Sequence, residues 1–130
     1  MKFDIEKTIS YWLEGSKYDL SVTEALYEKE KYPYALFIGH LSLEKLLKAL
    51  VVKETKNHAP ITHSLPLLAE KTGLEIPESI TIKLRKFMEF YFEPRYPRER
   101  KTFYIKCTKK YTKEKLDEIK EVYKWLKKKL

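Results

Sequence analysis

Gln is absent from this sequence, Asn57 is its only Asn and Cys107 its only Cys. A single Cys cannot form an internal disulfide, which excludes a small disulfide-stapled secreted scaffold and fits a reducing compartment. Glycine is scarce, at three residues, and no Gly-rich loop with a Lys-Ser/Thr ending is present to cradle a nucleotide triphosphate. The longest apolar stretch, Ala35 to Leu43, is broken by Gly39, His40 and Ser42. That falls well short of the roughly 18 apolar residues of a membrane span, so none is expected. Acidic Asp4 and Glu6 stand where a secretion signal would need an apolar core, and a cytoplasmic protein is the expectation. The scarcity of Asn and Gln beside abundant Lys, Glu, Tyr and Ile is a bias reported for proteins of hot environments.

What is present is charge and aromatic surface in a chain of one-domain size. Its 130 residues can fold around one core, and 27 Lys and Arg against 19 Asp and Glu give a basic face. Ile5, Ile9, Trp12, Leu13, Ser16, Leu20, Thr23 and Tyr27 recur at helical steps and predict a long first helix, with Gly15 as a tolerated flaw. Tyr32, Leu36, Gly39, Leu43, Leu46 and Leu50 predict a second, whose Gly39 would let a neighbouring helix come close. Ser64 is placed to cap a short helix ending near Gly73. Ile80, Leu84, Phe87, Met88 and Tyr91 mark a further helix, stopping before Pro94. Leu116, Ile119, Tyr123, Leu126 and Leu130 mark the last, capped by Thr112. No helical period is sustained between Arg95 and Tyr111. The expected architecture is all-α: an up-and-down four-helix bundle in one domain over residues 1–130, with one short extra helix and a long basic loop before the last helix.

Chemistry-bearing residues gather in two places. His40, Glu44 and Lys48, spaced four apart, share one side of the second helix, with Lys45 beside them. A solvated stripe, with a Glu44–Lys48 pair contributing ~0.3–0.5 kcal/mol, is the structural alternative to a functional cluster, which requires His40 to be partly buried. His63, just before Ser64, could bond loop backbone and hold the short helix. From Arg95 to Lys115 there are nine cations against two anions, interleaved with Tyr96, Phe103, Tyr104 and Tyr111. Guanidinium groups beside stacking rings suit phosphates and bases, while the plain alternative is a solvated basic loop. His40, His58 and His63 lack paired-ligand spacing, so neither a metal nor a cofactor is expected. Cys107 is expected to be a packed thiol. Gly15-Ser16 with Glu28-Lys29-Glu30 mimics a nucleotidyltransferase motif, but those acids fall on or just beyond a helix rather than on a strand.

The sequence resembles the HEPN family of small prokaryotic helical domains. The resemblance rests on Tyr34-Ala35, His40-Leu41, Glu44-Lys45 and Lys48-Ala49-Leu50, on Pro60-x-Thr62-His63-Ser64-Leu65, and on Tyr91 with Arg95-Tyr96-Pro97, in this order across most of the chain. It implies a helical bundle that often forms homodimers, a nucleotide-binding role, and partnership with a minimal nucleotidyltransferase in a toxin–antitoxin-like pair. Many relatives are metal-independent ribonucleases with an Arg-x4-6-His motif. Here Arg85, Arg95, Arg98 and Arg100 have no His downstream, since His63 is the last. The expectation is therefore a protein not catalytic alone that binds nucleotide or RNA phosphate through Arg95, Arg98 and Arg100, with Tyr96 and Tyr104 stacking and Lys45 and Lys48 adding charge. Glu44, His40 and Tyr91 would support that site. The alternatives are a ribonuclease whose diverged site uses His40 or His63, and a subunit that only docks another protein.

Overall fold

In the computed structural model, residues 3–130 are described, apart from the side chains of residues 97–99. They form seven helical segments: α1 (Ile5–Glu28), α2 (Tyr32–Thr55), α3 (Leu65–Thr72), α4 (Glu78–Phe87), α5 (Glu89–Phe92), α6 (Pro97–Lys106) and α7 (Lys109–Lys127), with no strand among the described residues. The all-α bundle expected from the periodicities is present. Its four long runs are α1, α2, α4 continued by the single turn α5, and α7, and α3 is the short extra helix.

Helix α2 is the hub, packing on α1, α3, α5, α6 and α7. Leu36, Leu43, Leu46 and Leu50, four positions of the expected seam, are fully buried, and so are Ala35, Leu47 and Val52 on other faces. A helix covered all round is a core helix, which is why its polar stripe also lies inside. Gly39 does admit a neighbour: a Cβ built there would lie 2.9 Å from Ile119 Cδ1 of α7. Gly15 likewise faces the Lys45 stem, at 3.1 Å from such a Cβ. Helix α3 starts where the cap predicts, with Ser64 Oγ accepting from the Leu67 amide at 3.2 Å, and ends at Gly73 with φ 71°.

Three stretches differ from expectation. The basic stretch is mostly helical rather than a loop, because Pro97 suits the first turn of α6 while Tyr96 before it is extended. Phe103 and Cys107, four apart and both buried, fix α6 to the core, with the Phe103 ring 6.1 Å from Phe90. Phe103 inside α6 and Cys107 just past its end are too few to make a detectable period. The last helix is capped by Thr108, not Thr112: the Thr108 hydroxyl accepts from the Tyr111 amide at 3.1 Å, and Thr112 is buried one turn inside. Similarly α4 ends at Phe87, and the chain tightens at Met88, whose amide donates to the Arg85 carbonyl, before α5 resumes.

Candidate functional site

The stripe on α2 is a buried polar chain rather than a solvated face. Glu44 is only 6% exposed in its side chain and bridges two cationic or polar partners: Lys48 Nζ at 3.1 Å and His63 Nδ1 at 3.0 Å. A carboxylate is only an acceptor, so His63 carries its proton on Nδ1 towards Glu44. Lys48, almost as deeply buried, lies with its ammonium 4.9 Å from the Trp12 ring centre of α1. His40 is fully buried, and its Nε2 donates to the His63 carbonyl at 3.0 Å. Its Nδ1 has no hydrogen-bond partner among the described residues. Burial holds the His40 imidazole down to about 4, against the opposing pull of Glu44, so the ring is neutral. The loop before α3 is therefore locked to α2 twice, through the backbone of His63 and through its ring. Sequence reasoning expected the ring to bond loop backbone; it bonds Glu44 instead.

Tyr91 of α5 joins this chain to the basic segment. Its ring stacks on His63 at 4.7 Å and on Phe37 at 5.9 Å, and lies tilted to His40 at 5.0 Å. The Arg95 guanidinium sits 4.1 Å from the Tyr91 ring centre, and its Nε donates to the Tyr91 carbonyl at 3.1 Å. Residues about fifty positions apart, His40 and Arg95, are thus brought to one tyrosine. Arg95 is exposed, and no carboxylate lies within ion-pair distance of it or of Arg100 among the described residues.

Aromatic surface continues from there. Phe92 and Tyr96 are nearly half exposed and stacked at 6.4 Å, with Arg95 also over Tyr96 at 5.6 Å. Tyr104 on α6 meets Tyr34 of α2 edge-on at 6.4 Å. Partial burial and the hydrogen bond to Tyr34 raise the Tyr104 phenol, while nearby Arg100 opposes this. Arg98 lies outside the described side chains. Part of the basic run is neutralised internally: Lys106 pairs with Glu89 at 2.6 Å, Lys113 with Asp117 and Lys115 with Glu118.

The two lysines expected to add charge here are placed elsewhere. Lys45 pairs with Asp19 of α1 at 2.8 Å, and Lys48 is held by Glu44. Both Nζ atoms neutralise internal carboxylates, because α1 covers that side of α2. Phe37 and Phe92 belong to the cluster although their sequence positions offered no sign of it beyond closeness to His40 and Tyr91. His58 lies apart, stacked on Phe3 at 3.9 Å. An open groove of about 820 Å³, lined by Tyr11, Trp12, Tyr18 and Lys45 among others, shares no residue with the Tyr91–Arg95 group. Cys107 is buried, and burial pushes its thiol up to about 12, as suits a packed side chain.

No curated protein matches this chain. A solved structure with the same fold is that of TT1696 from Thermus thermophilus, 20% identical, with a TM-score of 0.80 over 94% of this chain and 98% of that one. The sequence model of the HEPN domain matches residues 9–130, nearly the whole bundle and every residue of the Glu44–His63–Tyr91–Arg95 chain, and this protein belongs to the HEPN domain family.

Proposed function

We propose that this protein binds the phosphate of a nucleotide or of RNA on the surface formed by Arg95, Arg100, Tyr96 and Tyr104, as the binding half of a pair with a minimal nucleotidyltransferase. Membership of the HEPN family supports a nucleotide- or RNA-related role in general. The observation that carries the finer reading is the state of Arg95. Its guanidinium is stacked on Tyr91 and tethered through Nε, so its terminal nitrogens are presented outward with no carboxylate among the described residues to occupy them. A fixed planar fork of this kind matches phosphate oxygens two at a time. Exposed Tyr96 and Phe92 next to it offer faces on which a base can stack. Arg98 joins the proposal as the cation between Arg95 and Arg100 in sequence. Lys45 and Lys48 do not, being committed to Asp19 and Glu44.

Of the two histidines that a diverged ribonuclease would use, His40 is fully buried, which keeps the lone pair on its unpartnered Nδ1 out of reach of a substrate. The proposal is tested by titrating fluorescent single-stranded RNA with the native protein and with Arg95→Ala/Arg100→Ala over a series of salt concentrations. The double variant should bind more weakly and with a flatter salt dependence, by about 0.7 in the logarithmic slope per lost phosphate contact. Superimposable titrations would refute it.

A further inference from the structure

We infer that the furrow between α4 and α7 is a second binding site, which takes a nucleoside carrying a terminal phosphate, its base on Trp125 and its phosphate among Lys83, Lys124 and Lys128. This site is independent of the one at Arg95.

Glu121, Lys124, Trp125 and Lys128 recur at steps of three and four, so they share one face of α7 and its C-cap. With Ile80 and Lys83 of α4 they line a cavity of about 390 Å³, a size that suits a small ligand. Its floor is apolar: Val122 is buried, and Ile80 and Trp125 are half-buried against the core. Lysines surround it. Lys124 and Lys128 are exposed and have no carboxylate within ion-pair distance among the described residues. Lys83 has only Glu121, at 3.6 Å, and that carboxylate is 75% exposed. Earlier on α7 the lysines are matched more fully: Lys113 by Asp117, Lys115 by Glu118 and Lys120 by Glu24. The cavity shares no residue with the Tyr91–Arg95 group, and Ile80 precedes Tyr91 by roughly 16 Å of helix at 1.5 Å per residue.

Cations in the last turn of α7 also favour that helix through its dipole. That accounts for Lys124, but not for Lys83, which reaches the same cavity from another helix, nor for the indole between them. The charge count is specific. Lys83, Lys124 and Lys128 against Glu121 are three positive charges to one negative, an excess of two at the cavity. A phosphate monoester carries about two negative charges near neutral pH and balances that excess, whereas a phosphodiester or a carboxylate carries one and does not. An indole beside ammonium groups offers a face on which a base can stack. The match is therefore to a nucleoside monophosphate, free or at the end of a strand, and not to the interior of a strand.

Trp125 is the reporter for the test, because in Trp12→Phe it is the protein's one tryptophan. At pH ~7.5, where a phosphate monoester is doubly charged, adenosine 5′-monophosphate should quench its fluorescence saturably. Cyclic adenosine monophosphate, the same base with a diester, should bind about tenfold more weakly, the effect of one charged hydrogen bond. In the same background Lys124→Gln/Lys128→Gln should lose a similar factor for the monophosphate, and Lys83→Gln, on the other helix, should weaken it in the same direction. Arg95→Ala/Arg100→Ala should leave the quenching unchanged. An oligoribonucleotide with and without a 5′-phosphate separates the sources: preference for the phosphorylated strand assigns a strand end, and binding of the mononucleotide alone assigns a free nucleotide. Equal binding of the monoester and the cyclic diester, or native-like binding by all the lysine variants, overturns the inference. Equal quenching by an oligoglutamate also overturns it, since the furrow would then accept any polyanion. Absence of quenching by the monophosphate overturns it and leaves the Arg95 site standing.

Discussion

The Glu44 carboxylate is shared between Lys48 Nζ, 3.1 Å away on the next turn of α2, and His63 Nδ1, 3.0 Å away across the α2–α3 connection. Both Glu44 and Lys48 are almost wholly out of water, so each depends on the other for compensation. Removing one charge leaves the other buried and unpaired, whereas removing both leaves a neutral interior.

Glu44→Ala should therefore lower unfolding stability by about 3–5 kcal/mol, and Glu44→Ala/Lys48→Met should recover most of that loss. Denaturant unfolding of the three proteins measures both effects. A double variant no more stable than Glu44→Ala would mean that the pair does not act as a unit.

His40 makes folding sensitive to acid. Its folded-state value is lowered to about 4 by burial, against ~6.5 for an exposed imidazole, so the unfolded chain takes up a proton that the folded one refuses. Its contribution is fully present above about pH 6.5 and is lost as the pH falls towards 4, on the order of 3 kcal/mol across that window. The neighbouring Glu44, His63 and Arg95 act on the same ring, and other carboxylates titrate as well, so the quantity to read is a difference. Subtracting the stability profile of His40→Phe from that of the native protein should leave a slope confined to this window. A flat difference would place a charged imidazole inside the fold.

The contrast between His40 and the basic segment shows what a sequence can reveal here. The α2 seam was readable because Leu36, Leu43, Leu46 and Leu50 repeat at helical spacing, and the Ser64 and Gly73 boundaries because a cap and a left-handed stop each need a particular residue. Helix α6 was not readable, since Phe103 and, just past its end, Cys107 are its buried anchors among the described side chains, while Thr102, Tyr104 and Ile105 are exposed. Thr108 and Thr112 are equally good caps on paper. Only the burial of Thr112 separates them. The polar stripe was visible as a spacing, but its burial follows from α1 covering α2, and the link from His40 to Arg95 runs through Tyr91, twenty-eight positions beyond His63. Asp19 claims Lys45 from another helix, which spacing along α2 cannot reveal.

Cys107 should be chemically silent while the protein is folded. Only a thiolate attacks an alkylating reagent, and burial pushes this thiol up to about 12, with nearby Glu89 adding to the shift and Lys106 opposing it. At pH ~8 the native protein should resist iodoacetamide, and the same protein in denaturant should be labelled to completion within the usual time for a free thiol. Mass spectrometry of the two samples reads the difference. Rapid labelling of the native state would show that α6 opens away from Phe90 and exposes the residue just past its end.

Gly39 is the position where α2 and α7 approach closely, and there two effects of similar size oppose each other. Replacing a helical Gly by Ala favours the helix by roughly 0.8–1 kcal/mol. The added methyl would lie 2.9 Å from Ile119 Cδ1, with Leu116 Cδ2 at 3.7 Å, inside a region where Ile119 is fully buried and has nowhere to withdraw. Overpacking of this kind costs about 1–3 kcal/mol, so Gly39→Ala should be destabilising on balance. Ile119→Val alone removes the atom in contact and should cost about 0.5–1.5 kcal/mol through the cavity left behind. Combined, the new methyl fills the space that the lost one vacated, and the double variant should be more stable than either single one. A double-mutant cycle by denaturant unfolding measures the coupling between the two positions. Additivity would mean that α7 shifts away from α2 to accept the methyl, and that the close approach at Gly39 is not enforced by packing.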